Sequence, residues 1–337
     1  MCVGGLSWAG TYGMITSILR GLLPIYNQFY EAGCQQQPAG AMMMKLKQLA
    51  VCLTLFAATG LATAQEAGVV VQDGIEVKPL SRMRVLAPEE QVNEAARLQY
   101  TEMMSQAKEK GLLAPASDPQ LKRLRTIAQR IIPFTPRWNP VASKWDWQVN
   151  LIQADEVNAF CMPGGRIGFY TGILTKLQLT DDEAAAIMGH EIAHALREHG
   201  RERLAKSNVT ALGARVGGAL LSGIFGVDPN LTATAANGLG SMLVLKFSRD
   251  EEREADLVGL DISSRAGYDP RAGIVLWRKM AMLNKGAPPE FLSTHPGGAT
   301  RIKDMEQHMN VLLPLYARSK GTSVNRLPPY RTNVAIR

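Results

Sequence analysis

A chain of 337 residues is long enough for one large domain or two, with a sizeable buried core. Lys and Arg number 37 against 30 Asp and Glu, a formal net charge of +7. Part of that excess (Arg20, Lys45 and Lys47 against Glu31) falls in a leader expected to be removed, and the remainder is mildly basic. No Lys/Arg block and no interleaving of basic with aromatic residues occurs, which excludes a nucleic-acid partner from the expectations. Of the four cysteines, Cys2, Cys34 and Cys52 precede the expected cleavage point. Cys161 is left alone, without a partner for an internal disulfide, and reads as a small buried hydrophobe.

Two lysines, a short apolar run and Ala62-Thr63-Ala64 make residues 44–64 a secretory signal peptide, too short for a comfortable membrane span. Residues 1–43 carry no targeting pattern and read as an upstream over-extension of the reading frame. A lipid-anchoring cysteine is not expected, because Val51 precedes Cys52 where a small residue is wanted and Glu31 interrupts the stretch before Cys34. An N-terminal arm spans 65–87. The spacing then predicts helices over 89–110 and 119–131, the second opened by Asp118-Pro119 and stopped by Pro133. Alternation from Trp145 to Leu151 predicts a strand with one buried face. Asn158 to Gly165 predicts a second short strand, ending in a turn and lying at an edge or bend because of Pro163 and the glycines. Arg166 to Tyr170 predicts a third.

Thr180 and Glu183 form a capping box, and acids fill the first turn of a helix expected to run to Gly200. Ala-, Gly- and Leu-rich stretches at 203–224 and 231–247 read as a close-packed helical hairpin in preference to two membrane spans. Ser248 and Glu251 form a second capping box for a helix to about Arg265. A further helix ends near Gly286, the last ends near Tyr316, and 317–337 is expected to be an extended tail.

The helix from Thr180 carries His190-Glu191-Ile-Ala-His194. Its histidines, four apart, share one face within reach of a single ion, with Glu191 beside them. This is the helical zinc-hydrolase pattern: two imidazole ligands and a carboxylate able to take a proton from water. His199 lies five residues past His194, about 140° around a continuing helix, and is expected to be a helix-end cation facing the carboxyl dipole. The better source of a third ligand is Ser248-Arg249-Asp250-Glu251-Glu252-Arg253-Glu254-Ala255-Asp256. There Glu252 and Asp256 share a face, whereas Glu251 and Glu254 point elsewhere.

With HExxH upstream, the pattern Ser248, Arg249, Glu252, Ala255, Asp256 resembles that of the HtpX-like and BepA/LoiP-like zinc metallopeptidases, related to the Ste-type CAAX prenyl proteases. The likeness extends over about residues 90–315. It implies an α+β, mostly helical zincin-type metallopeptidase fold, with a small sheet whose edge strand binds substrate, over residues 88–316. It implies one Zn2+ per chain held by His190, His194 and Glu252, with Asp256 orienting a ligand imidazole and Glu191 as general base. The run from Asn158 through Ala159 and Phe160 resembles the family's edge strand, to which an extended peptide adds as a further strand. Thr294-His295-Pro296 resembles a segment whose histidine approaches the metal. His295 is then either a reversible fourth ligand that holds the enzyme latent or a donor to the oxyanion. Arg301 either anchors that loop or is an ordinary surface arginine.

The implied activity is that of a gluzincin-type metalloendopeptidase acting on unfolded or misassembled envelope polypeptides. Peripheral association with the outer membrane or its assembly machinery is the accompanying expectation. The chain departs from the family in lacking convincing spans, a helical-repeat extension and an evident lipid-anchoring cysteine, so the expected form is a stand-alone periplasmic catalytic domain. The rival expectation is a periplasmic chaperone or assembly factor for outer-membrane proteins, its proteolysis latent or secondary.

Overall fold

Both capping boxes close in three dimensions. In this computed structural model, which describes residues 69–70, 73–207, 246–283 and 290–334, Glu183 N–H donates to the Thr180 hydroxyl and Thr180 N–H to the Glu183 carboxylate. Ser248 and Glu251 repeat the exchange. The leader expected over 1–64, and most of the hairpin expected within 203–247, lie outside the described residues.

The chain opens with a two-stranded hairpin, β1 (Val69–Val70) and β2 (Glu76–Val77), followed by helices α1 (Glu89–Glu109) and α2 (Pro119–Ile131). Asp118 caps α2 by accepting from the N–H groups of Gln120 and Leu121, and Leu121, Leu124, Ile127, Ala128 and Ile131 form its buried stripe. Strands β3 (Gln148–Ile152), β4 (Ala159–Met162) and β5 (Arg166–Tyr170) make a mixed sheet in the order β3-β5-β4, with β3 parallel and β4 antiparallel to β5. Helices α3 (Thr171–Lys176), α4 (Asp181–Leu196), α5 (Arg249–Arg265), α6 (Arg271–Leu283), α7 (Glu290–Thr294) and α8 (Ala299–Ser319) follow. The molecule is thus α+β and mostly helical, with one small sheet, as a zincin-type fold requires.

Three boundaries differ from expectation. The first strand starts at Gln148, whose N–H donates to Gly165 O and begins the ladder; Trp145 ends a 3-10 turn, and Trp147 turns its indole N–H to Ala142 O. Helix α8 carries Pro314 inside it and still runs to Ser319, so the tail starts later than Ala317. The helix bearing the histidines stops at Leu196, not Gly200. Glu198 makes the turn by adopting φ +56°, a left-handed value ordinarily left to glycine, and the chain is helical again over 199–207. Ion pairs from Arg84 at 3.1 Å and Arg201 at 3.0 Å hold the Glu198 carboxylate there.

Helices α4 and α5 cross with their backbones in contact. A Cβ on Gly189 would stand 2.5 Å from Gly259 O, and one on Gly259 would stand 2.6 Å from the Gly189 carbonyl carbon. Ser263 Oγ seals the crossing, 2.7 Å from Gly259 O and 3.1 Å from Ala185 O. The N-terminus of α4 is pinned in turn. Glu183, fully buried, pairs with Lys279 Nζ at 2.7 Å, and that ammonium also donates to the Leu177 and Gln178 carbonyls. The C-terminal tail lies across this cap, with Thr332 donating to Glu183 at 2.6 Å and Tyr330 bonded to Thr180 at 2.9 Å. At the other end of the chain, the N-terminal arm docks through Ile75, whose N–H donates to the buried Asp261. Among the described residues no helix is long and apolar enough to cross a membrane.

In an ordinary helix interior, Gly→Ala stabilises by about 1 kcal/mol. At Gly259 the sign reverses: Gly259→Ala is expected to lower stability by about 1–3 kcal/mol in urea unfolding, because the methyl must force two backbones apart.

Candidate metal centre

The α4–α5 crossing sets His190, one residue past Gly189, against the first two turns of α5. His190 Nε2 lies 3.1 Å from His194 Nε2 and 3.5 Å from Glu252 Oε2, and His194 Nε2 lies 3.4 Å from Glu252 Oε1. His295, just past α7, brings Nδ1 to 2.9 Å from Glu252 Oε1 and 3.3 Å from His190 Nε2. One donor atom from each of His190, His194, Glu252 and His295 falls within 4.8 Å of all the others, and all four residues are buried. Four donors at zinc-like bond lengths of about 2.0–2.1 Å stand about 3.3–3.4 Å apart at the corners of a tetrahedron. The contacts named here, 2.9 to 3.5 Å, lie close to that spacing, and all four donors fall within 4.8 Å of one another. The residues present therefore fit a divalent metal of the zinc type.

Glu191 is also buried, and its Oε1 has no hydrogen-bond partner; His295 Nε2 stands 3.5 Å away. Burial raises the Glu191 pKa against the opposing pull of His295 and His190, which suits a carboxylate that must accept a proton and release it. Burial works in the same direction on Glu252, but His295, His194 and His190 outweigh it and hold that carboxyl well below the usual range. For His295, burial disfavours the cation, yet the Glu191 and Glu252 charges prevail and raise its pKa. Burial, reinforced by neighbouring His190 and His199 and opposed by Glu252, drives His194 the other way, well below the ordinary imidazole value.

Asp256 Oδ1 lies 3.0 Å from His190 Nδ1, so a ring proton on Nδ1 would leave Nε2 free to ligate. Arg301 is no surface residue. It is 3% exposed and donates to both Asp256 oxygens at 2.6 Å, to Glu252 and to Pro296 O, with its guanidinium 3.6 Å from the Trp277 ring centroid. Asp256 also accepts from the Trp277 indole. Rings pack the ligands on their open faces: Phe247 lies 3.9 Å from the His194 centroid, and Phe291 stacks on His295 at 4.5 Å.

His199 departs from the sequence expectation. It is not a helix-end cation, because the helix has already ended; its ring is buried and its Nδ1 lies 3.0 Å from His194 Nδ1. Glu254, expected to point elsewhere, stands 3.7 Å from His199 Nε2 and pairs with Arg197. Neither residue belongs to the four-donor group. The signals available for the missed aromatic residues were faint: Phe291 sits one helical turn before His295, and Phe247 directly before the second capping box.

Strand β4 is an edge strand of the sheet, with β5 as its only described neighbour. The antiparallel register, with Tyr170 N–H donating to Asn158 O, turns the backbone groups of Asn158, Phe160 and Met162 toward β5. Those of Ala159 and Cys161 face outward, although Asn158 Oδ1 already takes the Ala159 N–H. The Phe160 ring lies over Gly168 and edge-on to Tyr100. Beside β4 runs a groove lined by Trp145, Met162, Phe247, Glu191, His194 and His295. Cys161 borders it as a half-buried free thiol whose pKa burial pushes well up, which makes it inert.

A helix-borne HExxH joined by a distant glutamate, beside a strand whose outer edge is unpaired among the described residues, is the arrangement of a metallopeptidase. Residues 120–309, more than half of the chain, match the model of Peptidase family M48, and the protein belongs to that family. It is similar to the mitochondrial metalloendopeptidase OMA1 of Arabidopsis thaliana, 37% identical over 161 residues (48% of this chain, 31% of the relative). OMA1 of Saccharomyces cerevisiae is 33% identical over 192 residues (54% and 52%), and the metalloprotease LoiP of Escherichia coli is 32% identical over 205 residues (60% and 75%). The chain spans about a third to a half of these two mitochondrial relatives' length and three quarters of LoiP.

Removing the guanidinium strands two buried carboxylates. Arg301→Met is expected to cost about 3–5 kcal/mol in urea unfolding of the metal-free protein, with part of the loss recovered on adding Zn2+.

Proposed function

We propose that the protein is a zinc-dependent endopeptidase of the gluzincin type, with one Zn2+ per chain held by His190, His194 and Glu252. The observation that carries this reading is the four-donor group with the Glu191 carboxylate beside it, one of its buried oxygens free of hydrogen bonds. Zinc bound there supplies Lewis acidity toward a water and a peptide carbonyl. Glu191 accepts the attacking water's proton on its carboxylate and delivers it to the leaving amide nitrogen. Asp256 and Arg301 hold His190 in the ligating tautomer, and Arg301 offsets the carboxylate charge around it. The outward backbone of Ala159 and Cys161 supports an extended peptide laid along β4 as a fourth strand.

The substrates we propose are unfolded or misassembled polypeptides of the cell envelope, met in the periplasm. The leader-like pattern at 44–64 supports this; the relatives include mitochondrial enzymes and a metalloprotease of Escherichia coli, so likeness alone selects no compartment.

Of the two roles expected for His295, its position favours the latent one. Nδ1 lies 3.3 Å from His190 Nε2 and 2.9 Å from Glu252 Oε1, where it would take the place a catalytic site leaves for water, and Nε2 faces Glu191. The same placement gives weight to a second reading, a chaperone or assembly factor that holds extended clients on β4 with proteolysis in reserve.

With unfolded casein as substrate, Glu191→Gln is expected to retain zinc by metal analysis while peptide hydrolysis falls by about 10²–10⁴-fold. Undiminished cleavage by that variant would overturn the mechanism. His295→Ala should cleave faster than wild type if the histidine holds the enzyme latent, and slower if it donates to the oxyanion. Cleavage unaltered by His295→Ala, together with client binding unaltered by Glu191→Gln, would favour the chaperone reading.

A further inference from the structure

The turn after α4 does more than end a helix. By taking the left-handed conformation, Glu198 brings His199 back onto the face of His194 remote from the four-donor group. Nδ1 of His199 and Nδ1 of His194 are 3.0 Å apart, a separation that admits one hydrogen between them and no more. Two assignments exist. If His199 carries that hydrogen, His194 must accept on Nδ1, and the neutral ring then bears its own proton on Nε2, the atom aimed at His190 and Glu252. Such a ring cannot ligate. If His194 carries it, Nε2 is a free lone pair and His199 must hold its proton on Nε2, which faces the Glu254 carboxylate at 3.7 Å. Glu254 is in turn fixed by Arg197, whose Nε donates to the same oxygen and whose Nη2 donates to Lys78 O.

We propose that His199 and Glu254 form a positioning relay, carboxylate to imidazole to imidazole, that sets His194 in the tautomer able to bind metal through Nε2. The inference rests on the zinc reading above and deepens it. Neither relay residue touches metal or substrate; both act through His194. The relay is the counterpart, on the second ligand, of the Asp256–Arg301 arrangement on the first.

The test titrates metal-free full-length protein with Zn2+ against a chromophoric chelator, with circular dichroism and thermal unfolding as the check on fold. His199→Phe, which keeps the ring and removes both nitrogens, is expected to bind zinc about 10–100-fold more weakly than wild type. His199→Asn, whose Oδ1 can accept where Nδ1 did, should recover most of that loss, which a purely structural role for the ring would not produce. Long-range proton–nitrogen NMR of zinc-loaded wild type needs no variant to fold, and should show His194 protonated on Nδ1 and His199 on Nε2 alone. The relay is overturned if His199→Phe matches wild type while His194→Ala loses zinc, if Asn does no better than Phe, or if His199 proves protonated on Nδ1. Zinc affinity equally weak in wild type and His194→Ala would sink the zinc reading itself, and the relay with it.

Discussion

The site exists because two helices touch backbone to backbone. Between side chains of ordinary size, helix axes stand about 8–10 Å apart. At Gly189 and Gly259 no side chain intervenes, and the gap closes until a single methyl would overlap a carbonyl. His190 follows Gly189 directly, and Glu252 and Asp256 lie seven and three residues before Gly259, two turns and one turn back along α5. The crossing therefore sets the imidazole of one helix among the carboxylates of the other. Each helix is further fixed at its N-terminus by a closed capping box, and α4 also by the buried Glu183–Lys279 pair and the tail lying over it.

A second constraint is electrostatic. Glu191, Glu252 and Asp256 are three carboxylates within a few residues' reach, all with less than a tenth of their surface exposed. Burying charge without compensation costs several kcal/mol per ion. Arg301 and the imidazoles supply the compensation, and a divalent cation would complete it. Deep burial and close opposite charge pull each pKa in contrary directions, and the winner differs from group to group. Glu252 and Asp256, with cationic and hydrogen-bonding partners on them, are held ionised, whereas Glu191, with one oxygen unpartnered, moves up. That division separates a carboxylate suited to ligation from one suited to proton transfer.

His295 links the two constraints. Phe291, one turn earlier, stacks on its ring, and α7 is tied to the segment before β4 by the Phe291 N–H bond to Val157 O. The residue nearest the open side of the group is thus carried by an element that also borders the strand edge. Movement of α7 would open the fourth corner and the groove together.

Much of this could be read in one dimension. The capping boxes, the HExxH spacing, the shared face of Glu252 and Asp256, and the strand broken by Pro163 all rest on local rules of dihedral preference and periodicity, which neighbouring residues obey without knowing the fold. The resemblance to a metallopeptidase family was carried by the HExxH run and the later Ser248-to-Asp256 pattern, and the match to Peptidase family M48 bears out its coarse form. What the sequence left open depended on distance in space. The helix end at Leu196 goes with Glu198 taking an unfavourable φ, its carboxylate held by Arg84 and Arg201. The projection that kept His199 out of the donor group holds, but its contact with His194 Nδ1 rests on where that turn sends it, past the break in the helix. Arg301 was indistinguishable from a surface arginine, because its partners lie 45 and 49 residues away. Local chemistry specifies which groups can ligate and where helices begin. Which of them share one buried volume, and which proton each ring carries there, is decided by packing, since only packing removes the water that would otherwise satisfy them singly.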